Sequence, residues 1–159
     1  MSADLSAEEI DRAERALALL RLDNDDIWRL GTHIRDRAVA AGAPIAIEIT
    51  RAGVRQFCTL LPGATQSNLQ WIARKAAISN HFERSSFAIA RWFQTRDGMM
   101  ERFGLNRTDY IDAGGAIPLR IARAGMVGTV TVSGLTQVED HDYALDGIRA
   151  LHAHQHRAA

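Results

Sequence analysis

The chain has 159 residues, 47% of them hydrophobic, and its 19 basic residues are matched by 19 acidic ones. That length suits one domain able to bury roughly 70% of its unfolded surface without a metal or disulfide staple. Balanced charge argues against a broad nucleic-acid footprint. The single cysteine, Cys58, excludes an intrachain disulfide and a cysteine-rich zinc site. No run of about 18 apolar residues is present, so no membrane span is expected.

The opening Met1-Ser2-Ala3-Asp4 is acidic and lacks the basic and apolar regions of a signal peptide. A cytoplasmic location is therefore expected. Ser6-Ala7-Glu8-Glu9 is a capping box, and Ile10, Ala13, Leu17 and Leu20 follow at helical spacing. The apolar stretch Ala16 to Leu22 can also hold a short strand. Asp23 to Asp26 supplies cap residues for a second helix bearing Ile27, Leu30, Ile34 and Ala38 on one face, ending near Gly42.

Pro44 to Thr50 alternates with period two, placing Ile45, Ile47 and Ile49 on one face and Glu48 and Thr50 on the other. Arg51-Ala52-Gly53 turns this strand into a partner, Val54 to Leu60, and Pro62-Gly63 ends the hairpin. Alternation in the partner puts Val54, Gln56 and Cys58 together, with Cys58 expected as a small buried hydrophobe. A helix is expected from Thr65 or Ser67 to about Phe82, with Leu69, Ile72, Ala76 and Phe82 inward. Ser85-Ser86 caps another, bearing Phe87, Ile89, Trp92 and Phe93. Asp97-Gly98 breaks it, Met99 to Phe103 forms a short turn, and Leu105 to Ala113 reads as a loop. A second hairpin has arms Ile117 to Arg123 and Met126 to Ser133 around Ala124-Gly125. Thr136 to Glu139 is a further capping box, opening a final helix to about His152 with residues 153–159 frayed. Strands joined by short turns and flanked by helices predict a single α+β domain built on an antiparallel sheet.

The residues with chemical potential each carry a plainer reading. Arg74 and Lys75 stand about 100° apart on one helix, so at most one enters a given cleft. Either can bind a carboxylate, or can sit on a solvated face. Ser133-Gly134 before a helix start leaves backbone N–H groups able to hold an anion. Asp140, in the first turn, complements the helix dipole on its own account. His141, beside Asp140 and Asp142, is a candidate acid–base group or a metal or haem ligand, or else an exposed histidine. His33 and His81 are isolated. His152, His154 and His156 form a tail in which His152 and His156 share a helical face, a pattern that favours adventitious metal binding. Trp71, Trp92 and Phe93 can stack a flat ligand or pack a core or an oligomer contact. There is no Gly-x-Ser-x-Gly elbow, since Thr131 stands where glycine is needed, and no dinucleotide or P-loop glycine pattern.

Three stretches together carry a resemblance: Gly114-Gly115-x-x-Pro118-Leu119; then Gly125-x-Val127-Gly128-x-Val130-x-Val132-Ser133-Gly134; then Glu139-Asp140 opening a helix. The chain resembles the GlcG/HbpS-like haem-degrading-domain family. It looks most like the branch ending in Val-Gly-Thr-Val-Thr-Val-Ser-Gly-Leu and Asp-His, here Val127 to Leu135 and Asp140-His141. Trp71, Arg74-Lys75, Ser85-Ser86, Phe103-Gly104-Leu105 and Asp109-Tyr110 agree, and the likeness runs from about Glu8 to Leu151. Ala116 replaces the branch's usual serine and removes a hydroxyl beside a possible pocket.

The resemblance implies a profilin-like fold over the whole chain, assembled into symmetric homo-oligomers. It makes haem a candidate cofactor, through members that bind or degrade it. The resulting expectation is a domain binding a small anionic ligand or haem, with Lys75, Arg74, Gly114, Gly115, Ser133, Gly134, Asp140 and His141 as candidate site residues. A cofactor-dependent enzyme acting on haem or a small oxidised acid is the first alternative, and a structural or protein-interaction module the second. No nucleic-acid or membrane partner is expected.

Overall fold

The Ser6 capping box forms as its spacing predicts: Glu9 N–H donates to the Ser6 hydroxyl at 3.2 Å and Ser6 N–H to the Glu9 carboxylate at 2.8 Å. It opens α1 (Ala7–Arg15) in a computed structural model that describes residues 4–159. The expectations for Met1-Ser2-Ala3 lie outside the described residues. The buried stripe of α1 is Ala7, Ile10 and Glu14; of the predicted Ile10, Ala13, Leu17 and Leu20, Ile10 alone lies on it. Ala13 is exposed on α1 itself, off the buried stripe, and Leu20 is exposed because α1 stops at Arg15 and the chain extends. Leu19 then forms a one-residue parallel bridge to Ile121, the short strand the apolar stretch permits.

Asp23 caps α2 (Asn24–Ala41), and Gly42 ends it in the left-handed conformation that a C-terminal glycine adopts without a Cβ clash. Ile27, Leu30, Ile34 and Ala38 are all buried along it. The first hairpin is β1 (Ala46–Arg51) and β2 (Val54–Leu60), followed by α3 (Gln66–Phe82), α4 (Ser86–Phe93) and the single turn α5 (Met99–Arg102). The second hairpin, β3 (Ala116–Ile121) and β4 (Gly125–Ser133), leads into α6 (Gln137–Ala158).

The four strands make one antiparallel sheet in the order β2-β1-β4-β3. Alternation decides its layers. Ile45, Ile47, Ile49, Val130 and Val132 turn to one face and pack with α2 and α6 side chains in the main core. Each such side chain contributes about 1.5–3 kcal/mol when fully buried. Thr129, Thr131 and Ser133 turn to the opposite face, which α3 covers. This is the expected α+β sheet flanked by helices.

Two further expectations change. Cys58 is exposed, because β2 is an edge strand of which only Phe57 turns inward, toward Gly31 of α2. The tail is helical to Ala158 instead of fraying after His152. Its anchor is Gln155, which is 1% exposed. The Gln155 amide accepts from Leu20 N–H at 2.8 Å and donates to the Arg21 carbonyl at 3.0 Å. Those two backbone groups lie in the extended link between α1 and α2, so one side chain satisfies both and holds the helix end down.

Candidate functional site

Lys75 follows Ile72 by three residues on the sheet-facing side of α3, so its stem passes under the helix toward β4. Its Nζ donates to the Asp140 carboxylate at 2.8 Å and to the Val132 carbonyl at 3.1 Å. The two side chains are 3% and 2% exposed. Asp140 also accepts from Leu135 N–H at 3.0 Å and, more weakly, from Gly134 N–H at 3.4 Å. The N–H groups predicted to cradle a free anion after Ser133-Gly134 are thus taken by the chain's own carboxylate. Asp140 is an ion-pair partner first and a helix-dipole complement second. Burial pushes the Lys75 amine below its ordinary value and the Asp140 carboxyl above its own, and the charge of each partner opposes that drift.

Glycine makes the close approach possible. Gly115 has φ +138°, and a Cβ there would stand 2.3 Å from the Val132 carbonyl oxygen and 2.9 Å from Lys75 Nζ. Gly134, at φ +151°, would place a Cβ 2.4 Å from the Pro44 carbonyl oxygen. Gly114 N–H donates to the Gln137 side chain at 3.2 Å, tying the start of β3 to the start of α6.

Above the ion pair opens a cleft of about 450 Å³. Ser67 and Asn68 line it from the first turn of α3, Trp71 from the next turn, Gln137 from the first turn of α6, and Asp112 and Ser133 from the sides. Two helix N-termini therefore converge on a site whose floor is a neutralised Lys–Asp pair and whose wall includes an indole.

Arg74 does not share this cleft. Its guanidinium lies 4.4 Å from the centre of the Trp71 ring and donates to the Arg107 carbonyl at 3.3 Å, fastening the 105–113 loop to α3. His141 is also elsewhere. It is 1% exposed, packed 4.8 Å from the Phe87 ring, and lines a separate cavity of about 480 Å³ between α1 and α6. Lys75 and His141, both candidate site residues from the sequence, therefore do not share a cleft: successive residues 140 and 141 on a helix diverge by about 100°. Across from His141 Nε2, at 3.7 Å, stands Glu14, whose spacing of four from Ile10 and seven from Ala7 already placed it on the buried stripe of α1. That spacing is the signal by which it is legible in the sequence, and the rarity of buried carboxylates is what masks it. Burial pushes Glu14 up to about 7 and His141 down to about 4.

The remaining histidines do ordinary work. His33 meets Asp146 at 2.9 Å on the surface, and His81 packs by Phe82 and Tyr110. His152 and His156 stack at 4.0 Å, with His156 Nδ1 directed at the His152 carbonyl. Among the described residues no group of three or more His, Cys, Asp or Glu side chains is placed to hold a metal ion, and no helix is long and apolar enough to cross a membrane.

The fold has solved counterparts. The structure of the Ybr137w protein superposes with a TM-score of 0.89 at 28% identity, covering 96% of this chain and 91% of that one. The PduOC:heme complex superposes with a TM-score of 0.67 at 21% identity, covering 81% and 94%. A UPF0303 protein of Paraburkholderia phytofirmans is 37% identical over 144 residues, 90% of this chain and 87% of that protein. The family model described as "Haem degrading protein HbpS-like" matches residues 22–149, a segment that includes α2, all four strands, Lys75 and Asp140. The chain belongs to the HbpS-like haem-degrading protein family.

Proposed function

We propose that this chain is a small-ligand-binding domain that seats a flat, carboxylate-bearing molecule in the Lys75–Asp140 cleft, with haem the ligand to try first. The observation that carries the reading is the buried Lys75–Asp140 pair at the foot of the Trp71 wall, between the N-termini of two long helices. The N-terminus of α3, with no carboxylate in its first turn, favours negative charge, and an indole face favours a planar partner. Family membership supports haem as a candidate, as does the haem held by the structural neighbour PduOC.

The donor set sets a limit. Haem iron takes His, Cys, Met or Tyr from a protein, and none of these lines the Lys75 cleft. His141 is buried against Glu14 and Phe87, which does not fit iron ligation in this conformation. Haem in the cleft is accordingly held by its face and its carboxylates, without an iron ligand from this chain.

The test is a haem titration followed by absorbance and tryptophan quenching. It uses the intact chain, Trp71→Ala, Lys75→Met and a His152→Asn/His156→Asn double variant. Saturable one-to-one binding that is lost with Trp71 or Lys75 and kept by the double variant is the expected result. Binding that survives Trp71→Ala and Lys75→Met, or disappears with the two tail histidines, overturns the site. Absent haem binding with retained quenching by a smaller aromatic carboxylate removes haem and keeps the cleft.

Self-association belongs to the same reading. The β2 edge has unpaired backbone groups, and Trp28 and Val54 beside it are 66% and 58% exposed. Light scattering should give a mass that is a multiple of the chain's own, and a strictly monomeric protein would remove this part.

A further inference from the structure

The cavity between α1 and α6 is separate from the Lys75 cleft, and its floor is chemically unfinished. Glu14 has both carboxyl oxygens buried without a hydrogen-bond partner, and His141 Nδ1 is likewise unpartnered. The Ser85 hydroxyl lies near enough to Glu14 to stabilise its charge somewhat, but not in hydrogen-bond geometry. A buried polar group without a partner forfeits its hydration with nothing in return. Both side chains face a cavity of about 480 Å³ walled by Leu5, Ile10, Ala13 and Leu145. The floor therefore offers a surplus of acceptors, with apolar walls above it. At the mouth, Arg37 is already engaged by Asp146 at 3.4 Å and by the Tyr143 ring at 4.4 Å.

We propose that this cavity binds a cationic amine carrying an apolar body, its ammonium seated on Glu14 beside His141 and its body against Ile10 and Leu145. An ammonium supplies the N–H donors and the positive charge that the Glu14 oxygens lack. A hydroxyl supplies one donor and no charge. A carboxylate supplies neither a donor nor a positive charge.

The proton balance follows. In the free protein near pH 6, Glu14 is protonated, since burial holds it up to about 7. Binding converts Glu14–COOH and R–NH₃⁺ into a carboxylate–ammonium pair and gives one proton to the buffer. The charged groups around Glu14 are Asp11 on its own helix, Arg84 ahead of α4, and Arg120 on β3. Around His141 they are Asp142 and Arg149 on α6. Arg37 of α2 stands at the mouth.

Benzylamine, benzyl alcohol and benzoate share one body and differ in the charge of the head, so calorimetry with these three probes on the full chain is the test. Benzylamine should bind saturably, at least about tenfold tighter than benzyl alcohol, with benzoate weakest. Repeating the titration at pH 6 in buffers of different ionisation enthalpy should show about one proton released per amine. Glu14→Gln should weaken benzylamine by about tenfold or more. This variant keeps the side chain's shape and removes no hydrogen bond, and its thermal unfolding checks that it folds. Trp71→Ala should leave amine binding unchanged, which separates this site from the Lys75 cleft. Benzoate binding as tightly as benzylamine, an unchanged affinity in folded Glu14→Gln, or no saturation by any probe at millimolar concentration overturns the proposal.

Discussion

Removing one member of the buried Lys75–Asp140 pair should cost far more than removing the charge from both. Asp140→Asn leaves the Lys75 ammonium facing only the Val132 carbonyl at 3.1 Å. Lys75→Met leaves the carboxylate with the N–H groups of Leu135 and Gly134 at 3.0 and 3.4 Å. Breaking a buried ion pair from one side costs about 3–5 kcal/mol. For a chain of this length each kcal/mol lowers the melting temperature by about 2–4 °C, so each single variant should melt roughly 6–20 °C below the intact protein. The double variant Lys75→Met/Asp140→Asn keeps an amide oxygen for the Leu135 N–H, gives up only the longer Gly134 contact, and leaves no buried charge. It should lose only about 1–2 kcal/mol, less than either single change. Urea unfolding with unchanged m-values gives the three free energies and their coupling. Single variants within about 1 kcal/mol of the intact protein, or a double variant whose loss equals the sum, would refute the view of the pair as a coupled, desolvated unit.

Three other outcomes follow from the geometry. Glu14 is raised from 4.5 to about 7, so the folded state holds its proton longer than the unfolded state, and this contribution is full below pH 4.5 and lost as pH rises through 7. His141 is lowered from 6.5 to about 4, so its contribution is full above pH 6.5 and lost as pH falls through 4. The two slopes cancel between pH 4.5 and 6.5. Relative to the intact protein, Glu14→Gln should therefore gain roughly 3 kcal/mol of stability from pH 4.5 to pH 7, measured by urea unfolding across that range. A flat difference would contradict the burial of a neutral carboxyl. Gln155→Ala should lower stability by roughly 2 kcal/mol in the same assay, because it strands Leu20 N–H and the Arg21 carbonyl. Gly115→Ala should cost more than about 2 kcal/mol, since its Cβ would overlap the Val132 carbonyl, whereas Gly53→Ala, at φ +76° with open space around it, should cost about 1 kcal/mol; comparable melting temperatures for the two would count against the tight β3–β4 cradle.

Much of the fold is local enough to be read along the chain. Ser6, Asp23, Thr65, Ser85 and Thr136 all cap the helices they precede, because a cap depends only on residues three positions away. The isoleucines of β1 face the core because pleat and alternation have the same period. The family likeness is legible too, and the HbpS-like family match runs over residues 22–149. Cys58 and the C-terminal tail misled for one shared reason. Whether β2 is an edge, and whether Gln155 finds two backbone groups more than 130 residues away, are facts about distant segments.

The candidate site divides along the same line. Lys75, Asp140 and the glycine-rich hairpin stand out as candidates along the chain, since unusual residues in a fixed pattern are visible without coordinates. How they are shared out depends on contacts between distant elements. The packing of α3 across β4 brings Lys75 to Asp140 over 65 positions. The turn of α6 sends the neighbouring His141 to the other side of the helix, toward Glu14. Helical periodicity predicts that adjacent side chains diverge, but which cavity each one enters depends on the elements that pack against that helix.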